Sequence, residues 1–300
     1  MDEQMEIIEA IEPVFSAIHY FSETDTPSEE KKQTYLNFFN AFKKRYPKVR
    51  DKESKELFKL YVSAHRQQQI LEEISALIGG HKNNLGYYSL TSEISLTSRE
   101  VMPWLFSNLH MRSHKIIMRS LLETILMYKY FEVYPEASYK WLTGKSSPNV
   151  HAPVRNGGPR ESKKIINGEK LTLIVFDTGM IEWIKTLENG KKTRNGTEQK
   201  LTKIANWAKI NPHDLLSAYS KALDGVSEGY SKLNRAVHVY FPETIAAVEE
   251  EWYENDENPE DYLRLLKEWF VLSRDSLFFA SILLLPCVNL PLNEPFPIGI

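Results

Sequence analysis

Apolar residues recur at helical spacing over most of the chain. Met5, Ile8, Ile11 and Phe15 mark a helix between Asp2 and Phe21, and Pro27 opens a second that runs through Arg45. A third, from about Asp51 to Ile78, has Leu57, Leu60, Tyr61, Ala64 and Ile74 on its apolar side and stops at Gly79-Gly80. Between His81 and Thr97 the pattern lapses into Asn, Gly and short polar residues, which reads as a loop. From Val101 to Phe131 the chain is apolar on nearly every side, and this segment is expected to be the long central helix, starting between Thr97 and Met102 with Ser98 as a candidate cap and ended or displaced by Pro135. Phased at 100° per residue, Leu105, Leu109, Ile116 and Met127 share a face with Arg112, Arg119 and Glu123. Ile117, Leu121, Ile125 and Tyr128 share another with His110 and His114.

The pattern changes after residue 143. The stretch KKIINGEKLTLIVF predicts two short strands turning at Asn167-Gly168, and Asn189-Gly190 and Asn195-Gly196 add turn signals. Helical periodicity returns at Glu198, breaks at Asn211-Pro212 and continues to Pro242, with Tyr230, Leu233, Asn234, Val237 and His238 on one stripe. Asn258-Pro259 supplies a cap and a first-turn proline for a last helix that ends at Pro286. The expected fold is therefore mostly α, a helical bundle with a long central helix and a small β-hairpin insertion. A single helical domain over 1–300 divides into N-terminal helices (1–80), the central helix (98–143), a basic hairpin-bearing insertion (144–200) and C-terminal helices (201–286).

Composition adds three constraints. With 42% hydrophobic residues and a net charge of -3, the chain has the make-up of a globular protein with a full-sized core. Cys287 is the sole cysteine, so intramolecular disulfides and zinc ribbons are excluded and a cytoplasmic setting is the expectation. The acidic N-terminus lacks the pattern of a secretory signal. The uncharged run from Ser276 to Asn293 is divided by Pro286 and Pro291, which leaves about ten continuous helical residues, short of a membrane span; no membrane partner is expected.

Charge is segregated. Residues 2–30 hold nine acids and no Lys or Arg, whereas residues 31–66 hold eleven Lys or Arg against three acids. The two stretches either neutralise each other, face different partners or are the solvated faces of packed helices. Residues 140–203 carry thirteen Lys or Arg and six acids, an excess that suits a polyanion such as RNA or belongs to a solvated insertion. The segment 243–261 has nine acids and no base.

Ionisable groups on core helices are the candidate chemistry, because a buried charge needs a partner. Arg119 and Glu123 are four apart with Arg first, the weaker order for an isolated helix, so a group elsewhere should hold one of them; His238 and Asn234 are the natural choices. A neutral His fixed by an amide or carboxylate can act as general acid or base, and a nearby Arg can stabilise a phosphorane. A buried polar network that only fixes helix register uses the same residues. His110 and His114 have the spacing for a shared metal, a weak signal in the absence of a Glu between them or a Cys pair.

The segments MRSLLETILMYKYF and YSKLNRAVHVYF, with a variable insertion between them and an apolar final helix after them, resemble a family of bacterial all-helical proteins related to the HEPN (higher eukaryotes and prokaryotes nucleotide-binding) superfamily. The likeness covers residues 105–135 and 225–285, and its motifs are R-x-x-x-E and Y-x-x-L-N-x-x-x-H. It implies a helical bundle, often dimeric, in a bacterial antiphage or toxin–antitoxin setting, and in many members RNA cleavage by an Arg and a His. Here Arg235 and His238 have two residues between them, closer than the family's pair. On this likeness the candidate catalytic set is His238, Arg235, Arg119, Glu123, Asn234 and Tyr230. No cofactor or metal is needed, RNA would lie on the basic insertion, and the chain would pair with itself or another protein. The alternative is a non-catalytic helical subunit of a defence or regulatory complex.

Overall fold

The computed structural model describes residues 3–22, 29–45, 49–79, 85–107, 111–133, 146–147, 162–166, 169–173, 191–237 and 259–293. These residues are mostly α-helical. In chain order the helices are α1 (Glu3–Ser22), α2 (Glu29–Arg45), α3 (Asp51–Gly79), α4 (Leu85–Ser107), α5 (Met111–Val133), α6 (Lys191–Trp207), α7 (Pro212–Val237) and α8 (Pro259–Leu284), the last followed by a 3-10 turn, Leu285–Cys287. Among the described residues of the 144–200 segment, Ser162–Ile166 and Glu169–Leu173 pair antiparallel with Ile166 opposite Glu169, and Ser146–Ser147 lies parallel to the second of these.

The helix ends follow local chemistry. At α7 the Asn211 side chain accepts the His213 N–H at 3.0 Å, Pro212 occupies the first turn, where its missing N–H costs nothing, and the Asn211 carbonyl accepts the Asp214 N–H. Just before it, α6 closes through Ile210 N–H to the Ala205 carbonyl at 3.0 Å, with Lys209 in the left-handed region at φ 56°. In the first turn of α3, Ser54 Oγ donates back to the Val49 carbonyl at 3.2 Å, tying the helix to the residues before it.

Three expectations from the sequence are corrected. The segment 98–143 is not one central helix: α4 ends at Ser107 and a separate helix, α5, begins at Met111. The apolar period runs on from Leu105 to Ile116 and so predicts one helix, although the two residues belong to separate helices. The expected loop 81–97 is largely helix from Leu85 onward. Its Ser and Thr residues looked like helix breakers, yet Thr91 donates to the Tyr88 carbonyl at 3.0 Å and Ser98 to the Ser95 carbonyl at 2.9 Å, while Leu90, Ile94 and Val101 supply the buried stripe. The third correction concerns α6, which starts at Lys191 rather than near Glu198 and passes through Asn195-Gly196 without turning.

The encased helix is α8, not α5. Every residue from Ser273 to Pro286 is buried, whereas α5 leaves Ile116 and Ser120 exposed. Helix α8 packs against α3, α5 and α7, and α4 lies along both α3 and α5. Phe42 of α2 reaches Tyr61 of α3 and Phe270 of α8, and Phe15 of α1 meets Phe278 edge-on at 5.9 Å. The approach of α7 to α8 depends on two glycines. A Cβ at Gly225 would clash with the edge of the Phe279 ring, and one at Gly229 would sit 3.1 Å from Ser276 Oγ. The acidic and basic N-terminal stretches meet where Arg66 of α3 pairs with Glu12 of α1.

By length and apolarity the helical stretch Leu263–Cys287 could cross a membrane, longer than the ten residues expected, but 78% of its apolar window is buried inside the protein.

Candidate functional site

Helices α5 and α7 run antiparallel, since Arg119 meets Tyr230 at one end of their contact and Lys129 meets Tyr219 at the other. Along this seam two polar clusters join helices distant in sequence.

In the first, Arg119, Glu123 and Tyr230 form a closed triangle. Arg119 Nη2 donates to Tyr230 Oη at 3.2 Å, Tyr230 Oη donates to Glu123 Oε1 at 3.0 Å, and Arg119 Nη2 lies 2.8 Å from that carboxylate oxygen. The guanidinium also stands 5.3 Å from the Tyr230 ring centroid, within cation–π range. Tyr230 is 3% exposed, and burial pushes its phenol above the ordinary value, an effect opposed by the Arg119 hydrogen bond. The Arg119 side chain is 14% exposed and Glu123 35%, so the triangle has a closed end at the phenol and a wet end at the carboxylate. The helix-unfavourable order of Arg119 and Glu123 suggests a partner elsewhere, with His238 and Asn234 as the expected choices; among the described side chains the partner is Tyr230.

In the second cluster, Lys129 Nζ donates to Tyr219 Oη at 2.9 Å, with both residues buried. The sequence reading missed this pair. Its signal was a lysine at a core position of α5 four residues from Ile125, a place where an ammonium needs an acceptor.

His114 faces α8. Trp269 Nε1 donates to His114 Nδ1 at 2.8 Å, so the neutral ring carries its proton on Nε2, towards Ser273 Oγ at 3.5 Å. Ser273 Oγ in turn donates to the Trp269 carbonyl at 2.9 Å. Burial, with a lesser contribution from the Lys115 ammonium, brings the His114 pKa down to about 3. Both ring nitrogens are occupied within the protein, so the imidazole as held here has no lone pair to give a metal. Among the described residues no group of three or more His, Cys, Asp or Glu is arranged to hold an ion.

A further pair also escaped the sequence reading. Arg274 Nε donates to Asp275 Oδ1 at 2.8 Å, and Nη2 lies 2.7 Å from the same oxygen, inside the encased part of α8. Its signal was the tetrapeptide Ser273-Arg274-Asp275-Ser276 set between the apolar runs Trp269–Leu272 and Leu277–Ala280.

Of the sequence candidates, then, the fold brings Arg119, Glu123 and Tyr230 together and sets His114 apart from them against α8. His238 and His110 lie outside the described residues. Asn234 and Arg235 fall in the last turn of α7, with side chains outside the description. No protein-family model, no curated protein and no solved structure matches the chain.

Proposed function

We propose that this is an RNA-directed helical-bundle protein of the kind the HEPN resemblance implies: a ribonuclease or RNA-binding toxin of a bacterial antiphage or toxin–antitoxin system, cytoplasmic and dimeric, with the wet end of the α5–α7 seam as its working site. The observation that carries the reading is the convergence of a carboxylate one-third exposed with a guanidinium and a phenol from two helices. Glu123 would take the proton of a ribose 2′-hydroxyl as its oxygen attacks the adjacent phosphorus. Arg119 would stabilise the charge on the phosphorane, and Tyr230 would hold both side chains in position. His238, on the stripe that the sequence periodicity predicts with Tyr230 and Asn234, would protonate the departing 5′-oxygen as the P–O bond breaks, leaving a 2′,3′-cyclic phosphate. Arg235 is the second candidate cation for phosphate, and the basic hairpin-bearing insertion would hold flanking RNA.

The test is incubation of the full chain with total RNA and with tRNA, with and without EDTA, beside Glu123→Gln, Arg119→Lys and His238→Ala. The expected result is cleavage that persists in EDTA and falls at least about 100-fold in the His238 variant. Absence of cleavage by the wild type under every condition overturns the catalytic reading. It would favour a non-catalytic subunit of a defence or regulatory complex, a reading supported by the near-complete burial of Tyr230, which makes the triangle a clamp between α5 and α7.

A further inference from the structure

A row of exposed lysines lies on α3. Lys52, Lys55 and Lys59 occupy positions i, i+3 and i+7 of this helix, and all three are exposed. With a rise of 1.5 Å per residue, they stand about 4.5 Å and about 6 Å apart along the axis, a line of ammonium groups on one face. Exposed Arg50 precedes the line, and exposed Lys44 lies in the last turn of α2, nearby in sequence. The acid within the line, Glu56, is taken by Lys267 of α8 at 2.9 Å, and the fields of Lys52 and Lys59 hold its carboxyl further below the ordinary range. The face therefore keeps a net positive charge.

The helix is anchored on its other side. Leu57, Tyr61 and Ala64 are buried on the opposite side of α3, where Tyr61 meets Phe42 and Phe270. A helix that seeks an anionic membrane alternates its lysines with large apolar side chains on the contact face. The outward positions of α3, residues 52, 55, 56, 59, 63 and 66, hold only Lys, Glu, Ser and Arg. A straight row of cations with nothing greasy between them fits a straight row of phosphates.

We infer that the outer face of α3, through Lys52, Lys55 and Lys59, docks the phosphodiester backbone of single-stranded RNA. The inference rests on the RNA-directed reading for the identity of the polyanion, and it places a phosphate contact away from the α5–α7 seam, in addition to whatever the insertion holds.

Fluorescence anisotropy with an end-labelled oligouridine measures it, comparing the wild type with the triple variant Lys52→Ala, Lys55→Ala, Lys59→Ala over a salt series. Alanine at exposed helical positions keeps α3 intact, and circular dichroism confirms that. The triple variant is expected to bind at least about 10-fold more weakly at low salt. Its plot of log affinity against log salt should be shallower by about 2, since each lost phosphate contact on a single strand removes about 0.7 from the slope. Equal slopes for wild type and triple variant overturn the inference, as does a wild type that does not bind the probe, or a triple variant that loses only its binding to phosphatidylserine vesicles. If the triple variant binds RNA weakly and no variant cleaves it, the surface stands and the catalytic reading falls. If cleavage is found and the triple variant binds normally, the reverse holds.

Discussion

Two of the arginine–carboxylate pairs among the described residues stand in opposite circumstances. Arg274 and Asp275 sit in the encased half of α8 with side chains 3% and 12% exposed; Arg119 and Glu123 sit on the α5–α7 seam at 14% and 35%. Neighbouring residues on a helix do not face each other, so the α8 pair must bend both side chains round to meet. Once shut away from water, neither charge has a better course, because a lone ion in that interior costs several kcal/mol. The seam pair has the relaxed i, i+4 geometry and takes in a phenol from another helix, yet its carboxylate keeps a third of its surface wet. Burial, more than the chemical identity of the pair, separates a contact that can only hold the fold together from one that can also meet a substrate.

The sharpest way to test that contrast is Asp275→Ala. Losing this carboxylate while Arg274 stays buried is expected to destabilise the protein by about 3–5 kcal/mol in denaturant unfolding, whereas Glu123→Ala should cost much less. Equal losses at the two sites would erase the distinction.

A second test uses His114, which belongs to the dry side with Trp269 and Ser273. Unfolded, its imidazole takes up a proton near the ordinary value of 6.5; folded, it does so only near about 3. Between those values the unfolded chain binds the extra proton, so stability that is complete above pH 6.5 is lost as the pH falls. The loss is about 1.4 kcal/mol per pH unit, or about 3 kcal/mol by pH 4. In His114→Gln, whose amide oxygen can still accept from Trp269, that part of the slope should vanish. Denaturant midpoints at pH 7, 5.5 and 4 for the two proteins supply the difference, and parallel pH profiles would mean that His114 is accessible to protons.

Much of this architecture was legible in the sequence because punctuation and period agreed. Gly79-Gly80, Asn211-Pro212 and Asn258-Pro259 mark helix ends by chemistry that needs no tertiary partner, and the structure puts α3, α7 and α8 where those signals stand. The reading failed where tertiary packing overrode local preference. Ser and Thr in α4 satisfy their hydroxyls on their own helix, and the break before Met111 falls inside an unbroken apolar period. The encased helix was misplaced for a related reason: Arg274 and Asp275 lower the apparent hydrophobicity of α8, although they are among its buried residues. At the candidate site, the order of Arg119 and Glu123 implied an outside partner, but choosing Tyr230 over other members of the same stripe required knowing that α5 and α7 run antiparallel. Spacing along one helix carries no information on that.

The smallest expected effect tells most about the seam. Glu123→Gln keeps the shape of the side chain and an oxygen to accept the Tyr230 hydroxyl, so the triangle loses charge and little else. With the carboxylate a third exposed, the stability change should be about 1 kcal/mol or less, and a double-mutant cycle with Arg119→Met should give a coupling of the same size. Salt separates the two kinds of pair further. Water reaches Glu123, so its coupling to Arg119 should shrink in 1 M sodium chloride, while a cycle on Arg274 and Asp275 should scarcely change. A seam coupling of several kcal/mol that salt leaves untouched would mean that this carboxylate is as dry as Asp275. A base that water cannot reach has no route to a ribose hydroxyl, and the triangle would then be a clamp alone.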